Sequence, residues 1–175
     1  MTDKLTAMLS VLSELGREVS YPKDYILQRE GKSATTLWLI KKGLARYFYF
    51  HQDKEYSGWF DTEGDVIGSV YSVAGIGPAQ ETIQLLEDSE LKKITLDTIK
   101  TSTIDLDAFK AELLQYYFLA LESRVKFFQC LEGKERYRYL LEHRPQLVQR
   151  VPLKLLSSFI GLTPESLSRI RRTIT

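Results

Sequence analysis

Glu165, Ser168 and Arg169 stand at i, i+3 and i+4, so on a helix they share one face. A carboxylate accepts a hydrogen bond from the amino group of cytosine. A guanidinium donates two to the O6 and N7 edge of guanine, and a serine hydroxyl bonds to either kind of edge. This is the chemistry of reading base edges in a DNA major groove. Lys154, Arg171 and Arg172 lie around the trio and suit phosphates, as do the hydroxyls of Thr163 and Ser166 at the start of the same helix.

The stretch from Val151 to Arg172 supplies the frame for that chemistry. Pro152 fits the first turn of a helix, where its missing N–H leaves nothing unpaired. Gly161 occupies a C′ position that tolerates the left-handed conformation of a sharp turn. Thr163 can cap the next helix, Pro164 is its first residue, and Glu165 suits the positive end of the helix dipole. Leu155, Leu156, Phe159, Leu162, Leu167 and Ile170 provide apolar faces that lock two short helices together. The spacing predicts helix, three-residue turn, helix, the geometry of a helix-turn-helix. The competing reading is an ordinary helical hairpin with solvated arginines, but turn chemistry, capping and basic charge all favour the first.

Charge divides along the chain in the same sense. From Lys134 onward there are nine Lys or Arg against three Glu, a net +6, so with +1 overall the residues up to Gly133 carry −5. An acidic body with a small basic module is what phosphate binding by the module alone would require.

The body reads as helix, then strands, then helix. Leu5, Met8, Leu9, Leu12 and Leu15 recur at helical spacing up to Gly16. Short β-prone runs follow at 37–40, 44–50, 56–60, 66–68, 82–86 and 90–96, separated by turns such as 51–54 and Gly64-Asp65, a pattern that indicates a sandwich or barrel. Phe109, Leu113, Tyr116, Tyr117, Ala120, Leu121, Val125, Phe128 and Leu131 mark one long helix with a wide apolar face. That helix either covers the β-domain or pairs with its copy in a second subunit. Two short helices, 134–143 and 145–149, lead to the last pair.

Other chemistry finds little support. His51 and His143 sit in charged settings without metal-ligand spacing, and Asp61, Glu63 and Asp65 read as solvated carboxylates on a strand and turn. Gly75-Ile76-Gly77-Pro78 lacks the lysine of a phosphate loop, and no serine stands in a nucleophile elbow. Cys130 alone builds neither disulfide nor metal cluster. No catalytic residue, metal or cofactor is assigned. The apolar runs are too short to span a bilayer, and the start lacks a secretory pattern, so no membrane partner and a cytoplasmic location are expected.

With these residues in place, the chain resembles the CRP/FNR family of bacterial transcription regulators over nearly its whole length. The glycine pattern of the family's jelly roll is matched at Gly31, Gly43, Gly64-Asp65 and Ile67-Gly68, and Glu87 to Leu91 resembles the strand leaving its ligand cassette. Thr163 to Arg169 resembles the recognition helix of the FNR branch, which reads DNA with a Glu, a Ser and an Arg. The resemblance implies an α+β protein: an N-terminal β jelly roll (double-stranded β-helix) with an N-terminal helix over 1–106, a dimerisation helix over 107–133, and a helix-turn-helix DNA-binding domain over 134–175. It implies a homodimer on double-stranded DNA with an inverted-repeat operator, leaves contact with RNA polymerase and an unidentified small-molecule effector open, and argues against an enzyme. The alternative is a ligand-binding roll that signals through protein contacts, its last helices serving as a docking hairpin.

The effector cassette maps to Gly68, Ser69, Val70, Gln80, Glu81 and Thr82, and there the chain departs from the nucleotide-binding members. Ser69 stands where the family has Glu, and Pro78-Ala79-Gln80-Glu81 replaces the stretch that supplies Arg-Ser. Without that arginine a cyclic phosphate stays unneutralised and Glu81 repels it, so cyclic AMP is not expected as the effector. The lone Cys130 cannot supply the iron–sulfur cluster of the oxygen-sensing branch. The three residues after Arg172 leave no room for a β-wing, so either phosphate contacts are expected from other elements or the sequence is truncated there.

Overall fold

The computed structural model describes residues 2–174. Met1 and Thr175, the outer limits of the first and last expected segments, lie outside the described residues. Helix α1 (Asp3–Leu15) is capped by the Thr2 side chain, which accepts from the Leu5 amide, and buries Leu5, Leu9 and Leu12 on one face. Eight strands follow: β1 (Arg17–Tyr21), β2 (Ile26–Gln28), β3 (Thr36–Lys42), β4 (Ala45–His51), β5 (Lys54–Asp61), β6 (Val66–Ile67), β7 (Thr82–Leu85) and β8 (Ser89–Thr95). Short helices α2 (Val70–Val73) and α3 (Leu96–Lys100) interrupt and close the set.

The strands form two four-stranded sheets in the orders β1-β8-β3-β6 and β2-β7-β4-β5, antiparallel throughout, as expected of a jelly roll. Trp38, Ile40, Tyr47, Ile67, Ile83, Leu85 and Leu91 fill the space between them. Sequence patterning missed β1 and β2. Both lie at sheet edges, and β1 buries none of its residues fully, so the alternation that marks a strand is weak there. The β4–β5 hairpin turns at Gln52 and Asp53, both with positive φ (50° and 58°), which matches the right-handed twist of the flanking strands.

Helix α4 (Leu106–Cys130) is capped by the Asp105 carboxylate on the Ala108 amide. Its first turns bury Phe109 and Leu113 against α1 and the roll. Farther on, Leu114, Phe118, Leu121 and Val125 remain exposed, at 40, 66, 59 and 52%. Spacings of four, three and four residues place these four on one stripe.

Four helices complete the chain: α5 (Gly133–His143), α6 (Pro145–Arg150), α7 (Leu153–Phe159) and α8 (Pro164–Ile174). They do not hang free of the roll. Leu44 and Phe60 of the roll share a core with Tyr137, Leu147, Leu156, Phe159 and Leu167.

Candidate functional site

Helices α7 and α8 meet through the turn that the sequence predicts. Gly161 has φ +71°, and a side chain there would press on Phe128 and on the Arg136 guanidinium, each about 3.1 Å away. Glycine is therefore required both by conformation and by space. Pro152 stands one place outside α7 rather than in its first turn. Thr163 caps α8: its Oγ1 accepts from the Ser166 amide at 3.2 Å and its carbonyl from the Leu167 amide at 3.0 Å. Leu167 is fully buried beneath. Gly133, the first residue of α5, has a different reason to be glycine. A Cβ there would come within 2.6 Å of Leu162, so α5 can approach the turn only without one.

This packing aims one face of α8 outward. Glu165 and Arg169 are exposed and Ser168 half-exposed, and with Arg172, Pro164 and Leu153 they line a shallow depression of about 370 Å3. Hydrogen bonds from its own amide and from Thr163, together with the nearby Arg169, lower the Glu165 pKa, so this carboxylate is ionised at neutral pH. The face presents an acceptor, a hydroxyl and two guanidiniums.

The residues assigned to phosphate scatter. Arg172 follows Arg169 at i+3 and joins the trio on its own depression instead of flanking it. Thr163 and Ser166 pair with each other at 3.1 Å. Lys154 is exposed but faces a second cleft, of about 680 Å3, between the helix-turn-helix and the β4–β5 hairpin. Arg171 requires a correction. Its guanidinium donates to the Val148 carbonyl at 3.3 Å and lies 5.7 Å from the centre of the Tyr137 ring, so it braces α8 within the domain.

Several of the nine basic side chains behind the +6 charge are likewise internal. Arg136 donates to the carbonyls of Leu131 and Ile160. Arg144 donates to the carbonyl of Phe60. Arg150 forks onto Glu63 and Glu87, both at 2.8 Å, and donates to the Gly43 carbonyl. Regional charge overstated the basic surface, because part of it faces acidic groups on the roll.

A further cavity, of about 670 Å3, opens between the roll and α4. Of the residues assigned to the effector cassette, Gly68, Val70, Gln80 and Glu81 line it. Ser69 and Thr82 do not: Ser69 is fully buried with its hydroxyl toward Glu81, and Thr82 accepts from the Glu30 amide. Burial raises the Glu81 pKa. No arginine comes from the cassette itself. The one that reaches the cavity, Arg124, comes from α4 and escaped the sequence reading. Its signal was available, since Arg124 falls in phase with Tyr117, Leu121 and Phe128 on an apolar stripe.

Asp61 is also corrected. It is 4% exposed rather than solvated. Trp59 Nε1 donates to it at 2.9 Å, and the hydroxyl of Tyr47, which accepts from the Gly68 amide, lies near it. Burial, reinforced by nearby Asp65, raises its pKa to about 7.

Among the described residues no three His, Cys, Asp or Glu gather as a metal site, and no helix is long and apolar enough to cross a membrane. No protein-family profile and no curated protein sequence matches the chain. Solved structures do. FixK2 of Bradyrhizobium japonicum superimposes with a TM-score of 0.75 at 20% identity, over 91% of this chain and 84% of that one. A CRP-family transcriptional regulator of Thermus thermophilus gives 0.68 at 16% identity, over 89% and 83%. A CooA variant from Carboxydothermus hydrogenoformans gives 0.66 at 17%, over 99% and 85%. Roll, long helix and C-terminal helices thus follow one another as in these proteins, and the chain has the fold of the CRP/FNR-type regulators.

Proposed function

We propose that the protein is a dimeric, sequence-specific DNA-binding transcription regulator in which α8 enters the major groove. One observation carries the reading: the α7–turn–α8 unit holds Glu165, Ser168 and Arg169 outward on a single face while Leu167 anchors its underside. The likeness to CRP-family regulators supports it. Residues 2–106 form the sensing roll, 107–133 the dimerisation helix and 134–174 the DNA-binding unit. The uncovered stripe of Leu114, Phe118, Leu121 and Val125 supports pairing of α4 with a second copy. RNA polymerase is a further partner of such a regulator, the cytoplasm its compartment, and the cavity beside α4 its effector site.

Selection from a randomised duplex library at fixed salt tests the reading. Twofold symmetry requires the selected sites to be inverted repeats whose half-sites lie about one helical turn apart. Uniform recovery without a motif would overturn it.

A further inference from the structure

The cavity beside α4 contains a charge that the fold leaves unanswered. Its walls are largely aromatic and aliphatic, with Tyr47, Trp59, Tyr117, Phe118 and Leu121 among them, and its volume of about 670 Å3 suits a small organic molecule. One carboxyl, Glu81, and one guanidinium, Arg124, reach it. Arg124 is half-buried. It stacks over Phe159 at 4.3 Å and Phe128 at 4.9 Å, and donates one hydrogen bond, from Nη2 to the Phe159 carbonyl at 3.2 Å. Among the described residues no carboxylate comes within ion-pair distance of it.

A guanidinium has five N–H donors, and a single protein acceptor leaves most of them unused. Drawing a cation out of water without a counter-charge is unfavourable, and burial does pull this pKa below its ordinary value, though the group stays charged at neutral pH. Arg46, which is buried more deeply, shows the contrast: it is forked onto Glu55 and bonded to Gln84.

We infer that the cavity binds an aromatic carboxylic acid, its ring seated among Tyr47, Trp59 and Tyr117 and its carboxylate paired with Arg124. A forked guanidinium–carboxylate pair supplies both the charge and the direction of binding. Glu81, the one carboxyl in the lining, disfavours a second anion on the ligand. Arg124 also holds the carbonyl of Phe159, the last residue of α7, so ligand and helix-turn-helix share one side chain. The inference rests on the effector-site reading only for its regulatory meaning, and ligand binding is measured without DNA.

The test is calorimetric titration of the full chain with three probes: 2-naphthoate, its neutral amide 2-naphthamide, and cyclic AMP. The expected result is naphthoate binding at least about tenfold more tightly than the amide, with cyclic AMP weaker than naphthoate. Arg124→Met should bring the acid down to the level of the amide while leaving the amide unchanged, and Arg124→Lys should keep part of the preference. Thermal melts check that the variants fold; should the Met variant fail, the Lys variant and the parent acid-to-amide ratio decide. Equal binding of acid and amide, no binding of the acid below about 1 mM, tighter cyclic AMP, or a preference that survives Arg124→Met would each overturn the inference. A protein that prefers naphthoate yet selects no DNA motif would remove the regulator reading and leave this one standing.

Discussion

Nη1 of Arg150 lies 2.8 Å from Oε2 of Glu63, across 87 residues of chain, and fastens the last helices to the roll. The same guanidinium reaches Glu87 and the Gly43 carbonyl. Hydrogen bonding to Arg150 lowers the Glu63 pKa to about 2. A depressed folded-state pKa stabilises fully above the ordinary carboxylate value and is lost as pH falls towards 2. Both side chains are partly exposed, so solvent screens the pair. Arg150→Ala should therefore lower stability by roughly 1–3 kcal/mol at pH 7, and by less at pH 3. Urea denaturation at the two pH values measures it; an unchanged midpoint at pH 7 would mean that the shared apolar core alone docks the helices.

Asp61 carries the opposite sign. Its folded-state pKa is raised to about 7, so the folded protein binds the proton more tightly than the unfolded chain. The penalty grows as pH rises from about 4 and is complete above about 7. Asp61→Asn keeps an oxygen for Trp59 Nε1 and removes the buried charge. The variant should be more stable than the parent at pH 8, by at most about 4 kcal/mol, with the gain vanishing near pH 4. Thermal melts of both proteins from pH 4 to 8 provide the comparison, and a variant no more stable at pH 8 would mean that its neighbours already compensate the charge.

Local signals were the most legible in the sequence. The turn at Gly161, the Thr163 cap and the one-sided trio on α8 follow from neighbours a few residues apart. The strands with strong apolar alternation were equally plain, whereas β1 and β2 lie at edges and bury too little. What sequence could not supply was partnership across distance. Arg150 pairs with residues 63 and 87 positions away, and Arg171 turns inward to Val148 and Tyr137. Asp61 looks solvated until Tyr47, Trp59 and α4 close over it. Charges can be counted along a chain, but which of them meet solvent is decided by packing.

The stripe on α4 yields a prediction on assembly. Leu114, Phe118, Leu121 and Val125 remain exposed in the single chain, and a parallel partner helix would cover them. The 20.2 kDa chain should sediment at about 40 kDa as a twofold dimer at micromolar concentration. Val125→Glu places a charge in the stripe without touching the cavity, and should shift the protein to 20.2 kDa with little loss of thermal stability. Sedimentation equilibrium distinguishes the cases; a parent that stays monomeric, or a variant that stays dimeric, would place the interface elsewhere.

Substitutions on α8 separate reading from bracing. Arg169 is exposed on the outward face beside Glu165 and Ser168. Arg169→Ala should cost roughly 1–3 kcal/mol on the preferred operator and relax preference at one guanine per half-site. Glu165→Ala should broaden base choice with a smaller loss of affinity, because it removes a discriminating acceptor together with a charge that phosphate repels. Lys154 stands apart on the cleft beside the β4–β5 hairpin. Lys154→Ala should weaken all sequences alike and reduce the salt slope by about 1. Arg171 is engaged with Val148 and Tyr137, so Arg171→Ala should lower the melting temperature while leaving the selected motif and the salt slope as they were. The measurements are motif selection, salt-dependent affinity and thermal melts on the four variants. If Arg171→Ala flattens the salt slope without destabilising the fold, its guanidinium swings out to a phosphate on binding. If Arg169→Ala leaves the motif unchanged, α8 does not read bases, and the last two helices serve instead as a docking hairpin for another protein.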